Sequence, residues 1–512
     1  MFKVSKQIMK AAAVILFISS PAYSENTLLM RESPVGRPGE AAMTPLREGL
    51  AIAKPFRKTK KGSIAYINVR VFPILQAPRG EPYPITVIRD VADLQHADGL
   101  ELWAGNKKIG PTAKDIRMNF KDGKFYFRNF GGGAEEVMEA PAQNVWVKPL
   151  KAANPTRVIY NKGLGLQESD RTYRGEFSVF PTMFTYLENG QTQNKYYWSL
   201  VNVVDIEEYL YSVIPSEVPS TWAAQSLQAQ AIAARTYAVK ELIEARKNNQ
   251  PWDVDPTTQY QSYRGTKLEQ ATTNAAAEKT RGIVMAHKGQ IFLAFFSANS
   301  GGVTCSAKEC LDRPDAPFAI SKSDSLEMET QDLPGGTWSG CTSLPLIKYF
   351  LADWGYASPK PDFALPPTEI DGKKRPAFDI CLDADFAKAV NQKLSGTLNS
   401  KSLETLTTSS SGRTWQVTVQ LASGKKIEVV EDGKVRIRQL TYGRQSYLFQ
   451  IKPPLSNGLV EFVGHGYGHG VGMSQWGAKL RADKNQTYEQ ILKFYYNEIT
   501  FENLRKFSQG AL

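Results

Sequence analysis

Nine residues near the C-terminus constrain the fold most. Gly464-His-Gly-Tyr-Gly-His-Gly-Val-Gly472 places glycine at every second position. Such a run cannot hold a helix, because each interior glycine costs about 1 kcal/mol relative to alanine. It reads as a loop whose backbone can approach a ligand closely. It also holds two of the chain's four histidines, His465 and His469. Imidazoles so placed suit a sugar-lined or metal-lined loop. The plainer alternative is a tight turn with histidine packed beside Trp476. A nucleotide loop is disfavoured, since no βαβ pattern surrounds the run and no Lys-Ser or Lys-Thr follows it. A zinc-protease helix is excluded by the same glycines.

The 512 residues around this loop allow two to four domains. Apolar residues make up 42% and charged residues 22%, which excludes a fully disordered chain and a multi-span membrane protein. Residues 1–24 read as a secretory signal: Lys3, Lys6 and Lys10 precede the apolar run Ala11 to Ile18, and Ala22-Tyr23-Ser24 ends it with small residues at the cleavage positions. An uncleaved anchor is the alternative. Removal of this segment lowers the net charge from +11 to +8 and takes no acid away. The mature chain is then expected in the periplasm or cell envelope, where disulfides form, with no transmembrane segment after cleavage. Nucleic acid is not an expected partner, because the chain is exported and lacks a reading motif.

Residues 25–60 form a polar lead-in. Residues 61–165 read as a small β-rich domain: Ala65 to Val71 alternates apolar and polar, and Lys124 to Arg128 does so more loosely. Further on, strand-like Tyr197 to Val204 leads into Ile206 to Leu210. After Pro219, Ser220 or Thr221 can cap a helix running to about Lys247. There Leu227, Ala231, Ala234, Ala238 and Leu242 recur at helical spacing, and the many alanines permit close packing on a sheet. A second helix is expected over Glu269 to Thr280, then a strand from Gly282, a hairpin turn at His287-Lys-Gly-Gln290 and a return over Ile291 to Phe296. Residues 312–400 read as an insertion, with a helix near Leu346 to Trp354. Helices are expected again from Ser474 to Ala482 and around Tyr488 to Tyr495.

Glu217 stands between Pro215 and Pro219. Two nearby prolines fix the backbone, and a fixed backbone aims a side chain. A carboxyl there can act as a general acid if apolar cover from Val218 or Trp222 raises its pKa. The opposing reading is an acid placed to complement a helix N-terminus, whose dipole favours the ionised form. Cys305, Cys310, Cys341 and Cys381 allow three pairings, and spacing does not choose among them. Two disulfides, or zinc held by Cys305, Cys310 and a histidine, are both open at this point. Asp253 and Asp255 are the rival carboxylates, expected on a loop with a structural role.

Four blocks together resemble the SpoIID/LytB family of peptidoglycan lytic transglycosylases and amidase enhancers. They are Glu208-Tyr-Leu through Pro215-Ser-Glu-Val-Pro219; Leu227 to Ala238; Gln259 to Gly265 with Thr280-Arg-Gly282 and Phe295 to Thr304; and Gly466 to Ala478 with Tyr488 to Leu492 and Tyr495-Tyr496. Ser411-Gly-Arg413 fits the β region before the last block. The resemblance spans about Tyr173 to Glu502 and implies a catalytic domain over 166–505. The implied fold class is α+β, with mixed or antiparallel sheets and a long alanine-rich helix beside the catalytic cleft, preceded by the small β-rich domain.

The resemblance also implies roles. Glu217 takes the position of the family's catalytic acid, with Val218 where relatives carry methionine. Arg235, Tyr237, Ser297, Ser300, His465, His469, Ser474 and Gln475 become candidate substrate contacts or residues behind them. Many relatives have histidine where this chain has Ser297, and some use it with nearby cysteine to bind zinc. Its absence here implies a Cys305–Cys310 disulfide in place of structural zinc, and no cofactor. Expected partners are peptidoglycan glycan strands and, as for the amidase enhancers, a cell-wall amidase. In the implied reaction one carboxyl suffices, because the 6-hydroxyl of the substrate's own N-acetylmuramic acid is a tethered nucleophile. The alternatives are a non-catalytic glycan-binding or amidase-activating protein, and a zinc hydrolase using His465, His469 and cysteine.

Overall fold

A computed structural model describes residues 42–45, 65–72, 91–121, 124–129, 137–141, 145–160, 169–188, 191–256, 260–311, 313–330, 333, 336–343, 351, 369–370, 373–374, 400–408, 411–421, 426–430, 446–451 and 459–507. The signal-like segment, most of the lead-in, Cys381 and all but Leu351 of the helix expected near Leu346 to Trp354 lie outside these residues. The chain divides into two compact units: Met30–Leu293 with Thr500–Leu512, here the N-terminal unit, and Ala294–Ile499, the C-terminal unit. The architecture is α+β, as expected.

The N-terminal unit is built on an eleven-stranded antiparallel sheet. Its strands are β1 (Ala42–Pro45), β2 (Tyr66–Phe72), β3 (Val91–Ala104), β4 (Lys107–Lys121), β5 (Lys124–Asn129), β6 (Val137–Pro141), β7 (Val145–Pro149), β8 (Thr156–Tyr160), β9 (Ser169–Tyr173), β10 (Glu176–Glu188) and β11 (Gln191–Asp205). The main order is β2-β11-β10-β7-β3-β4-β5-β6, with β1 on β10 and β8 joining β3 to β9. Alternation sets the faces. Leu100, Leu102, Val145 and Val147 are buried, while Glu101, Trp103, Trp146 and Lys148 between them are partly exposed. Residue 165 is not a domain break. β10 and β11, which follow it, lie between β2 and β7 in the same sheet, and the chain divides near residue 293 instead.

β11 runs directly into α1 (Ile206–Glu217), capped by Asp205, whose carboxylate accepts the Glu207 N–H at 2.9 Å. The long alanine-rich helix is α2 (Ala224–Lys247). Its N-cap is Ala223, without a side-chain hydrogen bond, so neither Ser220 nor Thr221 plays the expected capping role. α3 (Ala271–Lys279) follows, then β12 (Ile283–His287) and β13 (Gln290–Ile291). Lys288 and Gly289 both have positive φ in the hairpin between them. The returning strand is only two residues long, against the six expected.

In the C-terminal unit, β14 (Phe296–Ser297) precedes two short helices, α4 (Ala307–Leu311) and α5 (Ser325–Glu329). After them come β15 (Thr337–Ser343), a minimal hairpin of β16 (Glu369–Ile370) and β17 (Lys373–Lys374), and an antiparallel sheet of β18 (Ser400–Thr408), β19 (Thr414–Leu421) and β20 (Lys426–Val430). Then β21 (Phe449–Ile451) and β22 (Leu459–His465) join β15 in a three-stranded sheet. β23 (Met473–Ser474) runs parallel to β14, and α6 (Gln475–Asp483) and α7 (Tyr488–Tyr495) follow, the latter opened by a Thr487/Gln490 capping box. Residues 313–330 are not a detached insertion. Thr304 N–H donates to Lys322 O at 2.9 Å, Ala307 N–H to Ala319 O at 3.0 Å and Asp324 N–H to Gly302 O at 2.7 Å. β24 (Ile499–Asn503) then returns to pair with β12, and Leu504 N–H donates to Gly282 O at 2.7 Å.

One ion pair ties the helices of the N-terminal unit together. Arg235 of α2 is 0% exposed. Its Nη2 donates to Glu207 of α1 at 2.6 Å and to Ala277 O of α3 at 3.1 Å, and Nη1 reaches Ile283 O of β12 at 3.0 Å. Glu207 also accepts the Gly282 N–H at 2.9 Å. Arg235 is therefore not a substrate contact, as the sequence suggested; its guanidinium is used up inside the fold. Replacing it with alanine leaves a buried carboxylate without its cation. Arg235→Ala should cost about 3–5 kcal/mol, read as a lowered denaturant midpoint, whereas Arg235→Met with Glu207→Leu should lose much less.

Candidate functional site

Glu217 is the last residue of α1, not the forerunner of α2. Pro215 lies in the final turn, and Val218 leaves it in extended geometry with its N–H still bonded to Ile214 O at 3.0 Å. The carboxyl thus stands at the negative end of a helix, which removes the sequence-level objection that a helix N-terminus would hold it ionised. The side chain is partly exposed. Oε1 accepts the Ser262 N–H at 3.1 Å. The stretch 261–264 presents that N–H because its neighbours are pinned. Gln261 donates to Ala234 O at 3.1 Å and accepts from the Tyr209 hydroxyl at 3.2 Å. Tyr263 donates to Asn202 at 2.7 Å, and Arg264 N–H bonds Ser212 Oγ of α1 at 3.0 Å. Burial pushes the Tyr209 hydroxyl well above its usual range, and the charge of Glu217 adds to that push.

The rival carboxylates are occupied. Asp253 is buried and accepts from Arg246 Nε at 3.0 Å, Arg246 Nη2 at 2.9 Å and Asn68 N–H at 2.8 Å. Asp255 pairs with Arg70 Nε at 2.6 Å. Both attach residues 252–255 along the free edge of β2, the structural role expected of them. Tyr237 is only 6% exposed and lies inside the unit.

The glycine run belongs to the C-terminal unit. Gly466, Gly468, Gly470 and Gly472 all have positive φ. A Cβ on Gly470 would overlap the Arg413 guanidinium, and one on Gly472 would overlap Phe295 O. The close approach the glycines permit is therefore to the protein's own residues 295–301 and Arg413. Asn299 and Tyr467 exchange backbone hydrogen bonds at 3.0 and 2.8 Å. Arg413, wholly buried, donates to Ser300 O at 2.6 Å and Val303 O at 2.8 Å. His465 is exposed; His469 is partly exposed, with its Nδ1 accepting the Val471 N–H at 2.9 Å and its ring edge-on to Phe295. That bond leaves Nε2 as the protonated nitrogen of the neutral ring.

Ser300 and Ser474 do meet, but around a carboxylate that sequence reading missed. Both hydroxyls donate to Glu327, which also accepts the Gly302 N–H at 3.3 Å. Ser474 is besides the N-cap of α6, accepting the Gly477 N–H at 3.2 Å. Next to it, Asp324 accepts from Arg481 at 2.9 Å and from the Tyr495 hydroxyl at 2.6 Å. Both serines and Gln475 are nearly inaccessible, at 5% exposure or less, which removes them as direct substrate contacts. Ser297 is 8% exposed, and its hydroxyl has no hydrogen-bond partner among the described residues.

Cys305 and Cys310 form the disulfide that the resemblance implied, so neither sulfur is a free thiolate ligand. Any pairing of Cys341 with Cys381 lies outside the described residues. Among the described residues no group of three or more His, Cys, Asp or Glu is arranged to hold a metal.

Burial, with the Asp324 charge beside it, holds the Glu327 carboxyl above its ordinary value of 4.5, against the pull of its hydrogen bonds. Its folded pKa exceeds its unfolded one, so the folded state binds the proton more tightly. This group therefore contributes a loss of stability as pH rises from about 4.5 through the raised value, with no further loss above it. Glu327→Gln should flatten that part of the profile, measured as urea midpoints across the acid-to-neutral range.

Residues 194–287, from β11 through β12, match the SpoIID family, described as stage II sporulation protein. Residues 382–472 match a domain of unknown function. An uncharacterised protein of Brachyspira hyodysenteriae is 28% identical over 68% of this chain and 82% of its own length. The amidase enhancer of Bacillus subtilis is 28% identical over 56% of this chain but only 39% of its own length. Stage II sporulation protein D of the same organism is 27% identical over 58% of this chain and 74% of its length. No helix among the described residues is long and apolar enough to cross a membrane. The SpoIID family domain at residues 194–287 thus falls on the segment that builds α1, the Arg235 tie and the clamp around Glu217.

Proposed function

We propose that the protein is an exported peptidoglycan lytic transglycosylase. The observation that carries this reading is Glu217: a partly exposed carboxyl at a helix end, accepting the Ser262 N–H, with Asp253 and Asp255 committed elsewhere. Hydrolysis by a glycosidase ordinarily needs two carboxylates. A transglycosylase needs one. Glu217 donates its proton to the glycosidic oxygen as the bond between N-acetylmuramic acid and N-acetylglucosamine breaks. It then takes the proton of the muramic 6-hydroxyl as that oxygen bonds to C1 and closes the 1,6-anhydro ring. The proton count balances, and no metal or cofactor enters. In the C-terminal unit, His465 and His469 are the proposed sugar contacts. The preferred substrate in this reading is glycan stripped of stem peptides, and residues 1–24 direct the chain out of the cytoplasm.

The likeness to an amidase enhancer favours a second reading, in which the same fold activates a cell-wall amidase without cutting glycan. One digestion separates the two. Mature protein is incubated with intact and with denuded peptidoglycan, and products are read by mass spectrometry. The expected result is 1,6-anhydro ends from wild type, with the rate lowered by about 10²-fold or more in Glu217→Gln. Chelator should leave product formation unchanged. No anhydro ends, together with stimulation of an added amidase, would establish the second reading.

A further inference from the structure

Trp103 and Trp146 take no part in the proposed chemistry. They are direct cross-strand partners on β3 and β7, and both are partly exposed on the face opposite Leu102 and Val147. Their cross-strand row continues to Lys108 on β4 at one side and Ser178 on β10 at the other. Each indole is held. Trp146 packs against the buried cluster of Phe180, Val201 and Val203. Trp103 donates from Nε1 to Glu101 at 3.2 Å, and the Lys148 ammonium lies 5.1 Å over its ring. Lys108 holds the other oxygen of Glu101 at 2.6 Å, and Lys107 is exposed at the hairpin tip.

We infer that this face is a glycan-binding platform for a sugar chain that carries carboxylates; the identity of that chain rests on the peptidoglycan reading above. An indole face is electron-rich, and the axial C–H bonds of a pyranose are weakly positive. Two neighbouring rings fixed in place can stack on sugar faces while the equatorial hydroxyls stay at the side, within reach of Glu101 and the lysines. Lys108 and Lys148 against Glu101 leave the row positive, which suits the lactyl carboxylates of muramic acid and not a cationic partner. Pre-ordered rings also lower the cost of binding, since little side-chain freedom is lost. The platform lies on the sheet whose β11 continues into α1, so a strand held there is held by the unit that carries Glu217.

The test is calorimetric binding to glycan strands from denuded peptidoglycan and, in parallel, to neutral chitin oligomers. The proteins are wild type, Trp103→Ala with Trp146→Ala, Trp103→Tyr with Trp146→Tyr, and Lys148→Ala. Circular dichroism and thermal midpoints check folding. The double alanine variant should bind both glycans about tenfold or more weakly, as loss of stacked rings predicts. The double tyrosine variant should retain most affinity. Lys148→Ala should weaken binding to the muramic strands alone. Wild type that binds neither glycan, or a folded double alanine variant that binds like wild type, overturns the platform. Anhydro ends are scored separately on wild type. Their absence alongside tryptophan-dependent binding would remove the transglycosylase reading and leave the platform standing.

Discussion

The contact between Arg235 and Glu207 organises the N-terminal unit. Both side chains are out of water, at 0% and 2% exposure, and taking such a pair from solvent costs several kcal/mol per ion. The cost is offset only because nearly every donor and acceptor is used, across α1, α2, α3 and β12. What results is orientation more than stability. Glu207 sits in the first turn of α1 and Glu217 ends the same helix, roughly 15 Å further along its axis at 1.5 Å per residue. Fixing the first turn in a web of four elements therefore fixes the direction in which the last residue points. The clamp formed by residues 261–264 completes the placement from the other end.

The C-terminal unit uses the same device with different residues. Glu327 and Asp324 are buried carboxylates, each answered by donors from distant stretches: Ser300 and Ser474 for the first, Arg481 and Tyr495 for the second. Around them the glycine run threads between Phe295 O and the Arg413 guanidinium, where a side chain would not fit. The glycines record crowding by protein, and the unusual composition of the loop follows from packing before any ligand is considered.

Much of this was legible in the sequence where the determinants are local. The spacing of Leu227, Ala231, Ala234, Ala238 and Leu242 gave α2, the turn at Lys288-Gly289 gave a hairpin, and the alternation of Ala65 to Val71 gave β2. The flanking prolines and the family motif mark Glu217 as a candidate. Its setting is less legible, because Ile206 to Ser216 mixes apolar residues with Glu207, Glu208, Ser212 and Ser216 and carries Pro215 in the last turn, a pattern with no clear helical face. Arg235 enters as a substrate candidate through the family resemblance alone, because the partner that occupies it, Glu207, is 28 residues away. Glu327 was invisible for the same reason on a larger scale: Ser474 lies 147 residues from it. Sheet order is a non-local property too, so nothing in the local pattern around residue 165 shows that the strands on either side of it share one sheet.

The return of β24 to β12 has a consequence for how the protein is made. The N-terminal unit is discontinuous: its sheet and helices are synthesised early, but the strand that completes the β13-β12-β24 edge lies past residue 498. A chain emerging in order from a ribosome or an export channel must carry that unit unfinished while about two hundred further residues appear. Throughout that interval the outer edge of β12 shows unpaired N–H and C=O groups, the kind of edge that recruits strands from other chains. The described residues of the C-terminal unit, by contrast, all lie in the single stretch Ala294–Ile499, which can close on itself as soon as it is out. The residues that seal the unit bearing Glu217 therefore arrive only after the whole stretch Ala294–Ile499 has been made.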